Sequence, residues 1–533
     1  MTQIKPDEYG QLQPSRVHVP KAVTGRALLW SMTIGMIIAS GVATVKAGIA
    51  QGRGPSTLPR IIRWSATTVA SEHIHVAGAP DVPTIQLKVT LPPPPPVHQQ
   101  RSLVIPFNER RAGNAAVDYL RALTVLPQLP REAAEVEKRQ RELDEWLTVP
   151  LARLPLKQVQ ARCEEYAAAV FALQTGARRR YCDWQLDEYL DPEQTAFLLE
   201  SSANYRHLLH IVRLRLRSHL ARGDLEAAWQ DWQTGLQFSR DVAQSPTVIR
   251  MLTGIALQTQ MLHVAHDWMQ HPKCFNLYPA FISLPRPLFD PAIALEGEAA
   301  FIRRSLPQPP ELEQKVLSPP EALRLLTVCY GSVSRTQSTG PLVGVALAGY
   351  AAQQAPAART ELMQLGLDPK RVERLPDAQV VALRNVLLMR GLWNEVVQLF
   401  QLPYYRTQPV VLRLERKLTE LTQRQDLVLT LYSQSVKSIL KTYHAFHRLE
   451  RLRALLQAVE AIRLYAFHHK GLLPENLEQI TTVDVPQDPW TGKAFLYQRT
   501  ANGFKLTALP EPPDTPQSGS SWTYEVVIVD QKP

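Results

Sequence analysis

From about Gly113 to Lys470, apolar residues recur every three or four positions, the spacing that lines one side of an α-helix. The clearest case is Tyr205, Leu209, Val212, Leu216 and Leu220, with Arg206, Arg213 and Arg217 off that stripe. Asp191-Pro192-Glu193-Gln194 ahead of it carries an N-cap, a first-turn proline and a capping-box glutamine, and predicts the helix start. Gly223 then breaks the pattern, Leu225, Trp229, Trp232 and Leu236 resume it, and Ser245-Pro246 ends that helix and begins another. Further helices are predicted at about 376–402, 408–445 and 446–470. Residues 331–356 are rich in Gly, Ser, Thr and Ala, and GPLVGVALAGY predicts a buried loop or short helix. The fold class expected is mainly α.

The two ends break this pattern. Ala27 to Val45 carries no charge, and a helix of that length spans about 30 Å, the thickness of the hydrocarbon core. Arg26 and Lys46 bracket the run, and Trp30 suits an interface. A single retained transmembrane helix is expected, because the apolar core of a cleaved signal peptide spans roughly 7–15 residues. A short tail, residues 1–26, would lie inside, with the bulk of the chain outside the cytoplasm. Ser31, Gly35, Ala39 and Ala43 recur every fourth position and would let another helix approach closely.

Residues 46–112 predict a tether with a proline run, Pro92 to Pro96, and a possible short strand at Thr84–Thr90, where apolar and polar residues alternate. The helical domain would occupy 113–470. Residues 471–533 change character. LPENLEQI predicts a short helix and DPWTGK a turn, strands flank Ala501-Asn502-Gly503, and a third strand covers Tyr524 to Asp530. A small α+β module is expected there.

The chain has 533 residues and a net charge of +10, with basic and acidic residues interleaved, so nucleic acid is not the partner expected. Lys46, Arg53, Arg60 and Arg63 favour contact with acidic lipid instead. Cys163, Cys182, Cys274 and Cys329 lack metal or redox spacing; burial as small apolar residues is expected, and Cys163 and Cys182 are the closest pair for a disulfide. No nucleotide-binding, zinc-protease, hydrolase-elbow or calcium-loop motif occurs. His468-His469 would diverge on a helix, as would Glu296 and Glu298. A thiol site of Cys182-Asp183 with His207 and His210 has no local support. No catalytic residue, cofactor or metal is expected.

GDLEAAWQDWQTGL is similar to the turn and second helix of a tetratricopeptide repeat. Gly223 is the turn glycine and Ala228 the small residue at the crossing, with Trp232, Gly235 and Leu236 at matching offsets. No second copy follows at a 34-residue period. More broadly, GNAAVDYLRAL, CDWQLD, LARGDLEAAWQDWQTGLQFSRDVA, FNLYPAFISLPRPLFDPAIALEGE, and VEAIRLYAFHHKGLLPENLEQIT followed by VPQDPWTGKAFLYQ, in this order, resemble an uncharacterised family of membrane-anchored bacterial envelope proteins. The resemblance implies architecture and envelope location, but no reaction. The C-terminal module is distantly similar to the globular end of type II secretion pseudopilins through Pro474, Leu477, Asp488, Pro489, Trp490, Gly492 and Tyr497. It lacks their N-terminal processing pattern and calcium loop. The function expected is a scaffold with a protein partner; the alternatives are a pilin-like assembly component and an enzyme whose site is assembled from distant residues.

Overall fold

The computed structural model describes residues 73–74, 82–92, 94–95, 101–128, 130, 132–185, 195–305, 309–334, 341–424, 426–508 and 522–529. The proposed membrane helix at 27–45, its small-residue stripe at Ser31, Gly35, Ala39 and Ala43, and the helix start at 191–194 lie outside these. Among the described residues, no helix is long and apolar enough to cross a membrane.

The chain is mainly helical. Two strands come first, β1 (His73–Ile74) and β2 (Val82–Val89). A ribbon and helices follow: β3 (Arg111–Asn114), α1 (Ala115–Thr124), α2 (Ala133–Trp146), α3 (Leu156–Glu165), α4 (Ala167–Ala177) and β4 (Arg179–Tyr181). The middle holds α5 (Thr195–Arg222), α6 (Leu225–Ala243), α7 (Val248–Leu262), α8 (Val264–Gln270), α9 (Tyr278–Ile282) and α10 (Ala292–Ser305). Then come α11 (Pro309–Gln314), α12 (Pro319–Ser334), α13 (Pro341–Gln364), α14 (Pro369–Arg374), α15 (Asp377–Leu399), α16 (Tyr404–Gln423) and α17 (Leu427–His468). Strands β5 (Leu496–Thr500), β6 (Gly503–Thr507) and β7 (Thr523–Ile528) finish the fold.

The hairpin of α5 and α6 forms for reasons visible locally. Gly223 adopts φ +78° with nothing near its missing Cβ, so glycine serves there for its backbone freedom alone. Asp224 then caps α6 by accepting a hydrogen bond from the Ala227 amide at 3.1 Å. Tyr205, Leu209, Val212, Leu216 and Leu220 are all fully buried, as the stripe predicts.

Two expectations are corrected. The helix break placed at 445/446 lies instead at 424–426, and α17 runs through the expected site unbroken. Asp426 makes the break: it caps α17 through the Leu429 amide at 3.0 Å, and its carboxylate also accepts from Tyr350 Oη at 2.5 Å and Arg384 Nη2 at 2.6 Å. A cap of this kind depends on partners 42 and 76 residues away, so no glycine or proline marks it. The loop or short helix expected around GPLVGVALAGY is the start of the 24-residue α13, which carries Pro356 in its interior. Packing of Leu347, Ala351, Ala355, Ala358 and Leu362 outweighs the glycines and the proline.

At 42 residues, about 63 Å by helical rise, α17 is the spine of the molecule. Its N-terminal Val428 and Tyr432 belong to a smaller core with α11 to α15, whereas Val436 to Val459 and Ile462 supply the larger core and Ala461 and Leu464 pack with Tyr278. The sheet has the order β1-β2-β7-β6-β5. Its β5–β6 hairpin is antiparallel, as the sequence predicts, but β7 pairs on its other side with β2, in parallel, from Thr84↔Thr523 to Val89↔Ile528. The strand placed in the tether is therefore an integral member of the C-terminal sheet. Leu87, Val89, Phe504, Leu506, Tyr524 and Val526 turn inward and join the larger core.

Candidate functional site

The C-terminal turn is a clamp, closed by its own backbone. The Asp488 amide donates to Lys493 O and the Gly492 amide donates to Asp488 O, both at 2.8 Å. Gly492 has φ +68°, and a side chain there would strike the Tyr405 ring. The Asp488 carboxylate takes both arms of Arg451, Nε at 3.0 Å and Nη2 at 2.6 Å, and the Trp490 amide at 2.9 Å. Pro489 holds the turn between them, and Trp490 stacks on Tyr404 at 3.8 Å between ring centres. Tyr497 Oη donates to Pro474 O at 2.8 Å and ties the hairpin to the preceding loop. Asp488, Arg451 and Trp490 are all buried. This motif therefore fastens the module to α16 and α17.

The repeat-like hairpin is likewise core. Ala228 and Trp232 are fully buried, Leu236 nearly so, and Gly235 lets the Met261 side chain lie against the α6 backbone. Trp232 Nε1 donates to Met261 O at 2.8 Å, and its ring joins Trp229 and Trp268 in an edge-packed cluster.

Charged residues on α17 act as further clamps that helical periodicity does not reveal. Glu450 accepts from the Leu288 amide at 2.7 Å, and Glu460 from the Leu277 amide at 2.6 Å. Arg463 pairs with Glu460 and donates to Thr90 O at 2.7 Å, which holds the end of β2. The only sequence signal is acidic and basic residues on a helix stretch, 449–464, that is buried on every side.

No histidine is among the groups that act on Cys182, and His207 meets Tyr166 Oη at 2.8 Å. It neighbours a buried cluster in which Tyr119 Oη donates to Asp241 at 2.6 Å and the Arg250 guanidinium lies 4.5 Å from the Trp184 ring centre. Burial pushes the Asp241 carboxyl up to about 6 and raises the Cys182 thiol, the opposite of the lowering that favours a thiolate nucleophile. No disulfide joins the four cysteines, and burial pushes the Cys163 thiol up to about 12. His469 stacks on Tyr465 at 3.8 Å and Glu298 accepts from the Val248 amide at 3.2 Å, each in a local structural role. Among the described residues no three His, Cys, Asp or Glu side chains are grouped to hold a metal ion.

The open feature is a cleft of about 220 Å³ between α1 and α4, lined by Asp118, Arg121, Val125, Ala168, Phe171 and Thr175, among others. The two helices approach closely because Gly176 leaves room for the Tyr119 ring. Phe171 is 71 % exposed and Val125 40 % exposed, and Val117 and Leu120 are exposed on the neighbouring side of α1. Arg179, bound to Asp118 at 2.7 Å, closes one wall. Arg121, also in the lining, is exposed. Nothing in the helical periodicity marks this face, because Phe171 and Val125 look like ordinary stripe residues. No family model, no curated protein and no solved structure matches this chain.

Proposed function

We propose that this protein is a membrane-anchored interaction protein of the bacterial envelope. The uncharged run at 27–45 would supply the anchor, and the α1–α4 face would receive an acidic, partly apolar segment of a protein partner. The observation that carries this reading is the exposed Phe171 beside Val125, with Arg121 and Arg179 in the same cleft lining. An aromatic ring left in water next to guanidinium groups suits a partner that brings both apolar surface and carboxylates. A clamped, rigid body suits a scaffold, because little ordering entropy remains to be lost on binding.

The test is photocrosslinking from position 125, across the cleft from Phe171, in intact membranes, followed by capture of the full chain. A reproducible neighbour whose crosslinked peptide is acidic is the expected result, with Phe171→Asp abolishing the crosslink and leaving the melting temperature unchanged. Recovery of the full chain from the cytosol without detergent would overturn the envelope assignment. A neighbour that survives Phe171→Asp undiminished would overturn the assigned face. A pilin-like role would show instead as co-capture of secretion components with a processed N-terminus.

A further inference from the structure

The cleft between α1 and α4 is a groove that follows both helices. Asp118, Arg121 and Val125 line it from α1, and Ala168, Phe171 and Thr175 from α4, each set spaced as one face of a helix. Either set covers about 10 Å of helical rise, the length of two turns. Along its 11 residues α4 carries no charge, yet Ala167, Ala168 and Phe171 are exposed. Val117, Leu120 and Val125 of α1 are exposed as well. Two packed helices thus present a largely apolar face to water, where a third helix would ordinarily lie.

Backbone chemistry restricts what can cover this face. Apart from their ends, α1 and α4 use their N–H and C=O groups within the helices. Arg179, the strand residue in the lining, is paired with Arg111 of β3. The groove therefore offers no ladder to an extended chain, which would lose water from its own amides and carbonyls against Val125 and Phe171 without replacement. A helix arrives with its backbone already bonded and presents side chains at i, i+3 or i+4 and i+7, the spacing of the groove. Charge supplies a further restriction. Arg179 is engaged, with Nε donating to Asp118 at 2.7 Å and Nη1 to Ala112 O at 2.8 Å. Arg121 has no ion pair among the described residues, which leaves the groove with one unmatched positive charge.

We propose, resting on the partner face assigned under the proposed function, that its occupant is an amphipathic helix of the partner protein and not an extended segment. The helix seats one large apolar side chain between Val125 and Phe171 and sets one carboxylate against Arg121. A volume of about 220 Å³ is below the ~300–1,000 Å³ of pockets that enclose small molecules, and it suits a single anchoring side chain. Seated in this way, the partner helix packs its ridge into the groove of α1 and α4 and completes the missing layer.

The test pans a phage-displayed library of random peptides, each about 16 residues or four helical turns long, against the full chain in a neutral detergent. Selected peptides are then measured by calorimetry and circular dichroism. Binders are expected to carry apolar residues at i, i+3 or i+4 and i+7 beside an acidic residue, and to become helical when bound. Phe171→Asp, Arg121→Glu, or a proline at the centre of the peptide should each weaken binding roughly tenfold or more. Arg371→Glu, on α14, is expected to bind like the native chain. Binders that Phe171→Asp weakens but that tolerate the central proline overturn the helix and leave the face assigned. Failure to select any peptide sensitive to Phe171→Asp overturns the face and the helix together. Self-association of the full chain in sedimentation, abolished by Phe171→Asp, makes the occupant a second copy and overturns the partner helix.

Discussion

Two buried faces of this molecule carry charge in opposite ways. Along α17, Arg451, Glu450, Glu460 and Arg463 each meet a counter-charge or a backbone group, and together they hold four distant chain segments against one helix. Along α5, the Nε atoms of Arg206 and Arg213 are shielded from solvent and have no hydrogen-bond partner among the described residues. The helices are otherwise alike, long and largely buried. Charge that is paired within the fold builds architecture, whereas a shielded guanidinium left without a partner costs stability.

The sharpest way to break this comparison is to cut the best-paired charge. Arg451→Ala leaves Asp488 buried without its bidentate partner and loosens Trp490, and is expected to destabilise by about 3–5 kcal/mol in chemical denaturation. A loss below about 1 kcal/mol would mean that the clamp contributes little to the fold.

Acidification separates the faces next. Burial holds His210 at about 3, His263 at about 4 and His447 at about 3. Because these folded values lie below the ordinary 6.5, the fold binds fewer protons than the unfolded chain, and stability falls as pH drops from about 6.5 toward 4. Each histidine accounts for on the order of 3 kcal/mol by pH 4. Asp241 acts in the other direction: its raised folded value means that acidification relieves a cost, which offsets part of the loss. Urea unfolding at pH 7, 5.5 and 4 measures the sum. His210→Asn is expected to flatten the curve, and an unchanged curve would remove that histidine from the account.

The smallest expected effect has the opposite sign to the first. Arg213→Gln removes a buried guanidinium that forms no ion pair among the described residues, so its stability should match the native chain or exceed it by about 1 kcal/mol. A loss comparable to that of Arg451→Ala would show that Arg213 is a structural pairing residue, and the contrast between the two faces would disappear.

Much of the helical layout is legible along the chain. The α5 stripe, the Gly223 break, the tryptophan-bearing face of α6 and the β5–β6 hairpin all sit where periodicity and turn chemistry put them. Those signals come from residues a few positions apart, where helix pitch and backbone dihedrals dominate. The candidate sites are far less legible. Arg206, Arg213 and Arg217 are visibly off the apolar stripe, but only packing shows that Arg217 finds Asp267 while the other two find no ion pair among the described residues. Phe171 looks like core until α1 and α4 leave it at a cleft edge.

Local periodicity and turn residues were thus sufficient to specify a mainly helical chain, the repeat-like hairpin and the strand character of the C-terminal segments. Tertiary packing alone decided that β2 crosses more than 400 residues to lie parallel to β7, that Asp426 rather than the 445/446 boundary divides the long helices, and which buried charges are paired. The physical reason is range. Backbone conformation responds to immediate neighbours, whereas strand partnership and charge compensation depend on groups that only the folded chain brings within a few ångströms.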